Sequence, residues 1–422
     1  MPRGGAPVHW LRWAAPPLLI GVLIGTAWWL WPDDAGPAAA ALEPALLAAG
    51  LDRSGGGFAP VDAGRPLRFP RDRGAHPAQR TELWDLSGQL QDAAGHRYGL
   101  RLSFLRLGLA RDSARPSDLA AGAVMLARFA LTPASVTVGG AAAEGGAWRL
   151  SRAAAGLAGA GTSPERVWLE DWTLVGDGDG LRLSAATGSL AAALRLTPVK
   201  GPVSDAQAGL LDRAPGGGAA ESAFRYFLLP RLAAAGQIQT GDADPVAVSG
   251  GLMLERAWGD APGLLGGGRG QLAMNRFLLM LDDGSELACV HLRRRTGGGT
   301  PIPTCLLIAA DGGTRLLERR ELTLEPEGAG WASPIDGALY PLHWRLEVPA
   351  LRLDLAIAPL RPEQEIGSAV PAGGQPGESP GIVLRQRLWS GAVTLTGSRA
   401  GAPVGGSGRV DLGGYAPPRA GT

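Results

Sequence analysis

Lysine is nearly missing from this chain: Lys200 is the single one among 40 basic residues, and all the others are arginine. That imbalance reads as readily as codon bias as it does as chemistry. Charge of one sign is missing too, with 40 Lys+Arg against 39 Asp+Glu and a formal net charge of +1. Nucleic-acid binding asks for a basic face or stripe, so nucleic acid is excluded as a partner. Histidine is scarce (5), and His291 and His343 stand at no metal-ligand spacing from any partner. Asp282-Asp283 reads as a turn, not as a metal site. Glycine runs such as Gly266-Gly267-Gly268-Arg269-Gly270 lack the strand–helix context of a nucleotide site. No Ser/His/Asp arrangement stands out. No metal and no cofactor is therefore expected.

What is abundant points to β structure. Gly (65) and Pro (34) punctuate the chain and argue against long helices. Trp numbers 13 against 4 Tyr, an excess that matters for ligand pockets. A length of 422 residues allows two domains of about 150–200 residues each. The two cysteines, Cys289 and Cys305, flank a Gly-rich loop at 294–299 almost symmetrically. They could face each other across a hairpin as a disulfide, or be two small buried hydrophobes. A disulfide would require an oxidising compartment.

The N-terminus carries an uncharged apolar run at 14–31, preceded by Arg3 and Arg12 and followed by Asp33 and Asp34. Basic before and acidic after gives N-in orientation, and Trp28, Trp29 and Trp31 suit a membrane boundary. About 18 apolar residues just span a bilayer. The length favours an uncleaved anchor over a cleavable signal peptide, although Ala38-Ala39-Ala40 could serve as a cleavage site. No cysteine follows the run, so a lipoprotein is excluded. The expected localisation is the inner membrane, with the bulk of the chain in the periplasm or extracytoplasmic space.

From Leu67 onward the sequence reads as strands. Leu86 and Leu90, a turn at Ala93-Ala94-Gly95, then Leu100, Leu102 and Phe104 make a hairpin. Trp168, Glu170 and Trp172 alternate, as do Leu181, Leu183 and Ala185, and Leu190, Ala192, Leu194 and Leu196. Period-2 alternation buries one face of each strand. Asp283-Gly284 and Asp311-Gly312 are hairpin turns. Residues 201–223 are a polar link, and 362–381 a Gly/Pro-rich excursion. The expected organisation is a signal or anchor at 1–34, an Ala/Gly/Pro-rich tether at 35–64 with a short helix near 44–51, and two β domains at 65–240 and 241–418. Each would be a barrel or sandwich of short strands, and a barrel of about eight strands can hold one apolar ligand.

The segment Phe69-Pro70-Arg71-Asp72-Arg73-Gly74-Ala75-His76-Pro77, followed by Arg80-Thr81-Glu82-Leu83-Trp84, resembles the entry motif of the carotenoid 1,2-hydratase (hydroxyneurosporene synthase) and AttH-like family. Arg166-Val167-Trp168-Leu169-Glu170-Asp171-Trp172, Glu255-Arg256-Ala257-Trp258-Gly259 and Leu281-Asp282-Asp283-Gly284 match further family segments in order. Trp389-Ser390-Gly391 and Leu412-Gly413-Gly414-Tyr415 look like its closing strands. The resemblance covers about residues 65–416 and implies an all-β chain of two tandem lipocalin-like barrels. The departures make this a divergent member. The family's Glu-Trp-Trp-Tyr reads Glu82-Leu83-Trp84-Asp85, and its Trp-Asp-Trp-Phe reads Met274-Asn275-Arg276-Phe277. Its Asp-Arg-Glu-Trp-Gly reads Glu255-Arg256-Ala257-Trp258-Gly259.

Adding water to an isolated double bond needs an acid that protonates carbon. A carboxylic acid in an apolar pocket keeps its proton near neutral pH, and aromatic faces stabilise the cation. The resemblance implies Glu255 as that acid, with His76 and Glu82 beside it. Trp84, Trp168, Trp172, Trp258 and Phe277 would then contact the ligand. Each has a plainer alternative: His76 bonding a loop, Glu82 paired with Arg80 or Arg71, the tryptophans in barrel core, Glu255-Arg256 as an ion pair. Three readings compete. The first is an envelope-anchored protein binding a lipid or isoprenoid, in company with an envelope transport system. The second is a carotenoid 1,2-hydratase-like hydro-lyase, and the third a filled structural barrel. The lost carboxylate at Ala257 and the missing aromatics favour binding.

Overall fold

The computed structural model describes residues 57–62, 65–109, 122–135, 146–153, 156–204, 224–259, 272–295, 301–366 and 388–415. The apolar run at 14–31, the helix expected near 44–51 and most of the tether lie outside these residues. Among the described residues, no helix is long and apolar enough to cross a membrane.

Alternating sequence and frequent turns give an antiparallel all-β chain. The first half carries β1 (Thr81–Asp92), β2 (Arg97–Gly108), β3 (Ala123–Pro133), β4 (Ala147–Arg152), β5 (Ala158–Thr162), β6 (Glu165–Leu169), β7 (Trp172–Asp177), β8 (Gly180–Thr187), β9 (Leu190–Pro198), β10 (Val203–Ser204), β11 (Phe224–Thr240) and β12 (Val246–Gly259). They form one sheet in the order β4-β3-β2-β1-β12-β11-β9-β8-β7-β6-β5, with β10 beside β11. The second half carries β13 (Leu272–Leu281), β14 (Glu286–Arg294), β15 (Ile302–Ile308), β16 (Thr314–Leu317), β17 (Thr323–Glu327), β18 (Trp331–Ala332), β19 (Leu339–Tyr340), β20 (His343–Val348), β21 (Leu353–Pro359), β22 (Glu365–Ile366), β23 (Leu388–Arg399) and β24 (Ala402–Gly413). Its main sheet runs β16-β15-β14-β13-β24-β23-β21-β20-β17, with β22 beside β23. The first sheet is a nearly closed barrel and the second a half-barrel.

In each sheet the first strand pairs with the last, β1 with β12 and β13 with β24. This places β12 in the first barrel and moves the division expected at 240/241 to the segment between Gly259 and Leu272. The sequence reading missed it because β11 and β12 form a long hairpin whose turn, at Gly241, resembles a linker. Another expectation changes at Trp168–Trp172. Glu170 takes a left-handed φ of 56°, so the chain turns there and Trp168 and Trp172 lie on different strands. Leu169 pairs with Trp172 on the inner face, while Trp168 pairs with Thr173 on the outer one.

The interior of the first barrel is occupied by a contiguous cluster that includes Leu86, Leu102, Phe104, Phe129, Trp172, Leu183, Leu194 and Phe227. A second cluster around Phe277, Trp344 and Trp389 fills the other sheet. A third joins the two units: Tyr226, Met253 and Ala257 on the outer face of the first barrel meet Leu278, Met280 and Val290 of the second. Lys200 helps to tie them, since its Nζ lies 2.6 Å from the buried Glu286 carboxylate and donates to Ala309 O at 2.8 Å.

Cys289 and Cys305 are opposite one another on β14 and β15 and are joined as a disulfide, with a sequence separation of 16. Closing a loop of that size stabilises by about 3 kcal/mol. The reduced chain should therefore unfold at a lower denaturant concentration than the oxidised chain in the same buffer. Coincident unfolding curves would show that the bond adds nothing.

Candidate functional site

Strand register decides which side chains meet. In β1, Glu82, Trp84 and Leu86 point one way and Leu83, Asp85 and Ser87 the other. Glu82 stands opposite Arg106 of β2 and Trp258 of β12, and Trp84 opposite Phe104 and Arg256. Trp84, Phe104 and Trp258 belong to the interior cluster, so Glu82, Arg106 and Arg256 share the inner face with them, at the end of the barrel crossed by the loop 65–80.

That loop is held by its own charges. Asp72, in the short 3-10 turn Arg71–Arg73, is buried. It accepts hydrogen bonds from Arg68 N at 2.6 Å and Arg65 Nη2 at 2.9 Å. Arg256 donates to the carbonyls of Arg73 (3.2 Å), Gly74 (2.6 Å) and Leu83 (2.7 Å), while its guanidinium lies 3.8 Å from the Trp84 ring centroid. Arg106 donates to the carbonyls of His76 (3.0 Å) and Gln79 (2.5 Å) and pairs with Glu82 at 3.4 Å. These bonds fix His76. Its ring stacks on Trp258 with centroids 3.8 Å apart and planes within 4°. Its backbone N–H donates to Glu82 Oε1. Its Nε2 lies 3.4 Å from Asp72, and its buried Nδ1, 3.6 Å from Glu82, has no hydrogen-bond partner.

Burial pushes the Glu82 carboxyl above its ordinary range, against the pull of Arg106 and Arg256. Burial, with the charge of Arg256, pushes His76 down to about 4, against the pull of Asp72. The imidazole is therefore neutral at pH 7. Beside it opens a cavity of about 480 Å³, lined by Val61, Arg65, Arg71, His76, Arg225 and Trp258 among others. Arg225 is anchored there by bonds to the carbonyls of Asp62 (2.9 Å) and Arg65 (2.5 Å).

Of the residues expected at a site, His76, Glu82, Trp84 and Trp258 come together here. Glu82 pairs with Arg106 and not with Arg80 or Arg71. Four others lie elsewhere. Glu255 has the opposite parity to Arg256 and Trp258, so it faces the second barrel. There it accepts from Tyr226 Oη (3.0 Å), Arg409 Nη2 (3.0 Å) and Arg276. Phe277 is core of the second barrel, against Trp344 at 5.0 Å. Trp168 lies outside the barrel under Arg166 and donates to Gly156 O at 2.9 Å. Trp172 is fully buried deeper in the first barrel, against Phe129. The sequence reading overlooked Arg106, whose signal was present: it continues the inward series Leu102, Phe104 at period two, and an arginine on an inner face answers a buried acid.

A family model described as AttH-like matches residues 60–415. A crystal structure of a candidate AttH from Nitrosomonas europaea is similar, with a TM-score of 0.65 and 26% identity over 85% of this chain and 100% of that one. Kievitone hydratase from Nectria haematococca shares the fold, with a TM-score of 0.51 and 14% identity over 85% of this chain and 96% of that one. None of the curated proteins matches this chain.

Proposed function

This chain belongs to the AttH-like family, and from that premise we propose that it binds a hydrophobic ligand, a lipid or isoprenoid, by its polar end at the mouth of the first barrel. The observation that carries the reading is the cavity of about 480 Å³ with a prebuilt floor of His76 stacked on Trp258. Its volume lies in the range of small-molecule sites, about 300–1,000 Å³. Because the barrel interior beneath is occupied by side chains, the apolar part of the ligand lies along Pro60, Val61, Pro77 and Ala78 at the rim. The neutral His76 ring, held flat on Trp258, presents a rigid face to the ligand. The apolar run at 14–31 with its charge asymmetry, and a disulfide that persists in oxidising compartments, support a place on the extracytoplasmic side of the inner membrane. There an envelope transport system could exchange ligand with the barrels.

A second reading, hydration of a terminal double bond, is favoured by one feature: the buried Glu82 with its raised affinity for a proton lies 3.6 Å from His76. Two features weigh against it. A carbocation needs an open aromatic face, yet Arg256 covers Trp84 and His76 covers Trp258. Three arginines, Arg65, Arg71 and Arg225, line the same cavity against two carboxylates, Asp62 and Asp72, and that balance gives no net negative charge to favour a cation there.

The test is binding of farnesol and of palmitate to the full chain, followed by tryptophan fluorescence. Saturable quenching is expected for at least one, with His76→Ala weakening it by about tenfold, equivalent to about 1.4 kcal/mol. Absence of saturable binding to both, together with purified protein free of host lipid, would overturn the binding reading. A gain of one water in an added isoprenoid, lost in Glu82→Gln, would establish the second reading in its place.

A further inference from the structure

The arginines around the mouth of the first barrel are not alike. Arg73 is committed to Glu165 at 2.9 Å and to the Asp179 carbonyl at 2.8 Å. Arg106 and Arg256 are committed to Glu82 and to carbonyls of the loop. Arg71 stands apart. It belongs to the 3-10 turn Arg71–Arg73, is exposed, and lines the cavity. Among the described residues its side chain makes no hydrogen bond and no ion pair. The acids of the lining are Asp62 and Asp72, and neither pairs with it.

Asp72, its neighbour in sequence, is turned away. It is buried, and its oxygens accept from Arg65 Nη2 at 2.9 Å and Arg68 N at 2.6 Å. Burial alone would push its carboxyl up, but the Arg68 N–H, Arg65 and His76 outweigh that and hold it below its ordinary range. It is therefore an ionised acid whose lone pairs serve its own loop. Arg65 gives one N–H to it. The Arg65 side chain is 41% exposed and also lines the cavity, so the rest of its five-donor fork is open to a second acceptor. The same lining carries an apolar strip at Val61, Pro77 and Ala78. A planar guanidinium matches the paired oxygens of a carboxylate or a phosphate.

We propose that the ligand of this cavity is an anionic amphiphile, an apolar chain that ends in a carboxylate or a phosphate. Its head lies on Arg71 and the open side of Arg65, and its chain lies along the apolar strip. This rests on the binding reading of the same cavity and narrows it: the alcohol of the same chain is the poorer ligand.

The test holds the chain constant and changes the head. Dodecanoate, dodecyl phosphate and dodecanol are titrated into the full chain below their micelle concentrations, with tryptophan fluorescence as the readout. At least one of the two anions should bind one per chain and about fivefold tighter than dodecanol, the upper end for an ion pair open to water. Which anion binds tighter tells a carboxylate head from a phosphate head. Arg71→Gln should remove most of that preference and leave dodecanol unchanged. Arg68→Gln makes the same change of charge on an exposed side chain outside the lining and should keep the preference. Raising the salt from about 50 mM to about 500 mM should weaken the anions and not dodecanol. Equal binding of all three heads would overturn the proposal and leave the binding reading standing, whereas no saturable binding of any would overturn both. An equal loss in Arg68→Gln would mark a general effect of surface charge, and an equal loss of dodecanol in Arg71→Gln a structural role; either overturns the proposal. If Arg71→Gln does not fold, the preference between heads and its response to salt in the unaltered chain decide the matter together.

Discussion

Arg409→Met is expected to cost about 3–5 kcal/mol of stability, the usual result of removing one partner from a buried ion pair. The physical reason is what remains behind. Arg409 is almost fully buried and donates to three carboxylates on three strands: Asp85 of β1, Glu255 of β12 and Asp411 of β24. Burial alone would push the Asp85 carboxyl up, but Arg101 and Arg409 together outweigh it and hold that group well below its ordinary range. Without Arg409, two arginines, Arg101 and Arg276, still pair with these acids, but the network loses the cation that joins them. Two of the three acids belong to the first barrel and Arg409 to the second, so the loss also loosens the junction. Chemical denaturation of the full chain measures the cost. Adding Asp411→Asn should recover part of it, because one uncompensated charge is removed with it. Such neighbours couple by about 0.5–3 kcal/mol in a double-mutant cycle. A cost below about 1 kcal/mol, the range of exposed ion pairs, would mean that water reaches the network and that its charges are not desolvated.

That network explains why part of this molecule was legible in the sequence and part was not. Alternation at period two revealed the hairpin β1–β2, the strand pair β8–β9 and the all-β class, because the inner face of a strand must be apolar whatever its partner. The motif residues His76, Glu82, Trp84 and Trp258 were legible as a group, and they do converge. Glu255 was misplaced for a reason that alternation itself contains. A residue an odd number of steps from Arg256 and Trp258 must point to the opposite face. That face seemed to lead to solvent or a rim, and only the packing of the second barrel against it turns it into a buried site. The same holds for Arg101, Arg276 and Arg409, scattered over 309 positions of sequence and brought together by a junction that no local pattern announces. Trp168 failed differently: a left-handed Glu170 turned one apparent strand into two. Left-handed φ is uncommon for a glutamate, so nothing in the residue type gave warning.

Lowering the pH from 6.5 to about 4 should destabilise the folded chain through two histidines. His76 and His291 are both held down to about 4, each by burial first, with Arg256 adding to it at His76 and Arg293 at His291. In the unfolded chain both titrate near the ordinary value of about 6.5. Between these limits the unfolded chain binds more protons than the folded one, so stability rises with pH across the window and is lost as pH falls. Each group contributes up to about 1.36 kcal/mol per pH unit, hence about 2–3 kcal/mol each between pH 6.5 and 4.5. The surroundings differ in a useful way. His76 faces Asp72 and Glu82 as well as Arg256. His291 faces Arg293, packs edge-on against Trp344 and lies 3.3 Å from the Asn275 side-chain amide. Glu82 and Glu165, whose proton affinities are raised by burial, act with the opposite sign: they lose stability as pH rises through and above about 4.5. The net slope of the unaltered chain is therefore shallower than two protons. His291→Asn isolates one share free of any carboxylate. Urea unfolding of that variant at pH 7 and pH 4.5 should show a difference smaller by about 2–3 kcal/mol than in the unaltered chain. His76→Asn should show the same reduction together with weaker ligand binding, because the ring that it removes forms the floor of the cavity. If His291→Asn leaves the slope unchanged, then His291 already carries its proton in the fold, and the second barrel holds that charge within reach of Arg293 with no carboxylate among its described contacts, at a cost that its packing against Trp344 would have to offset.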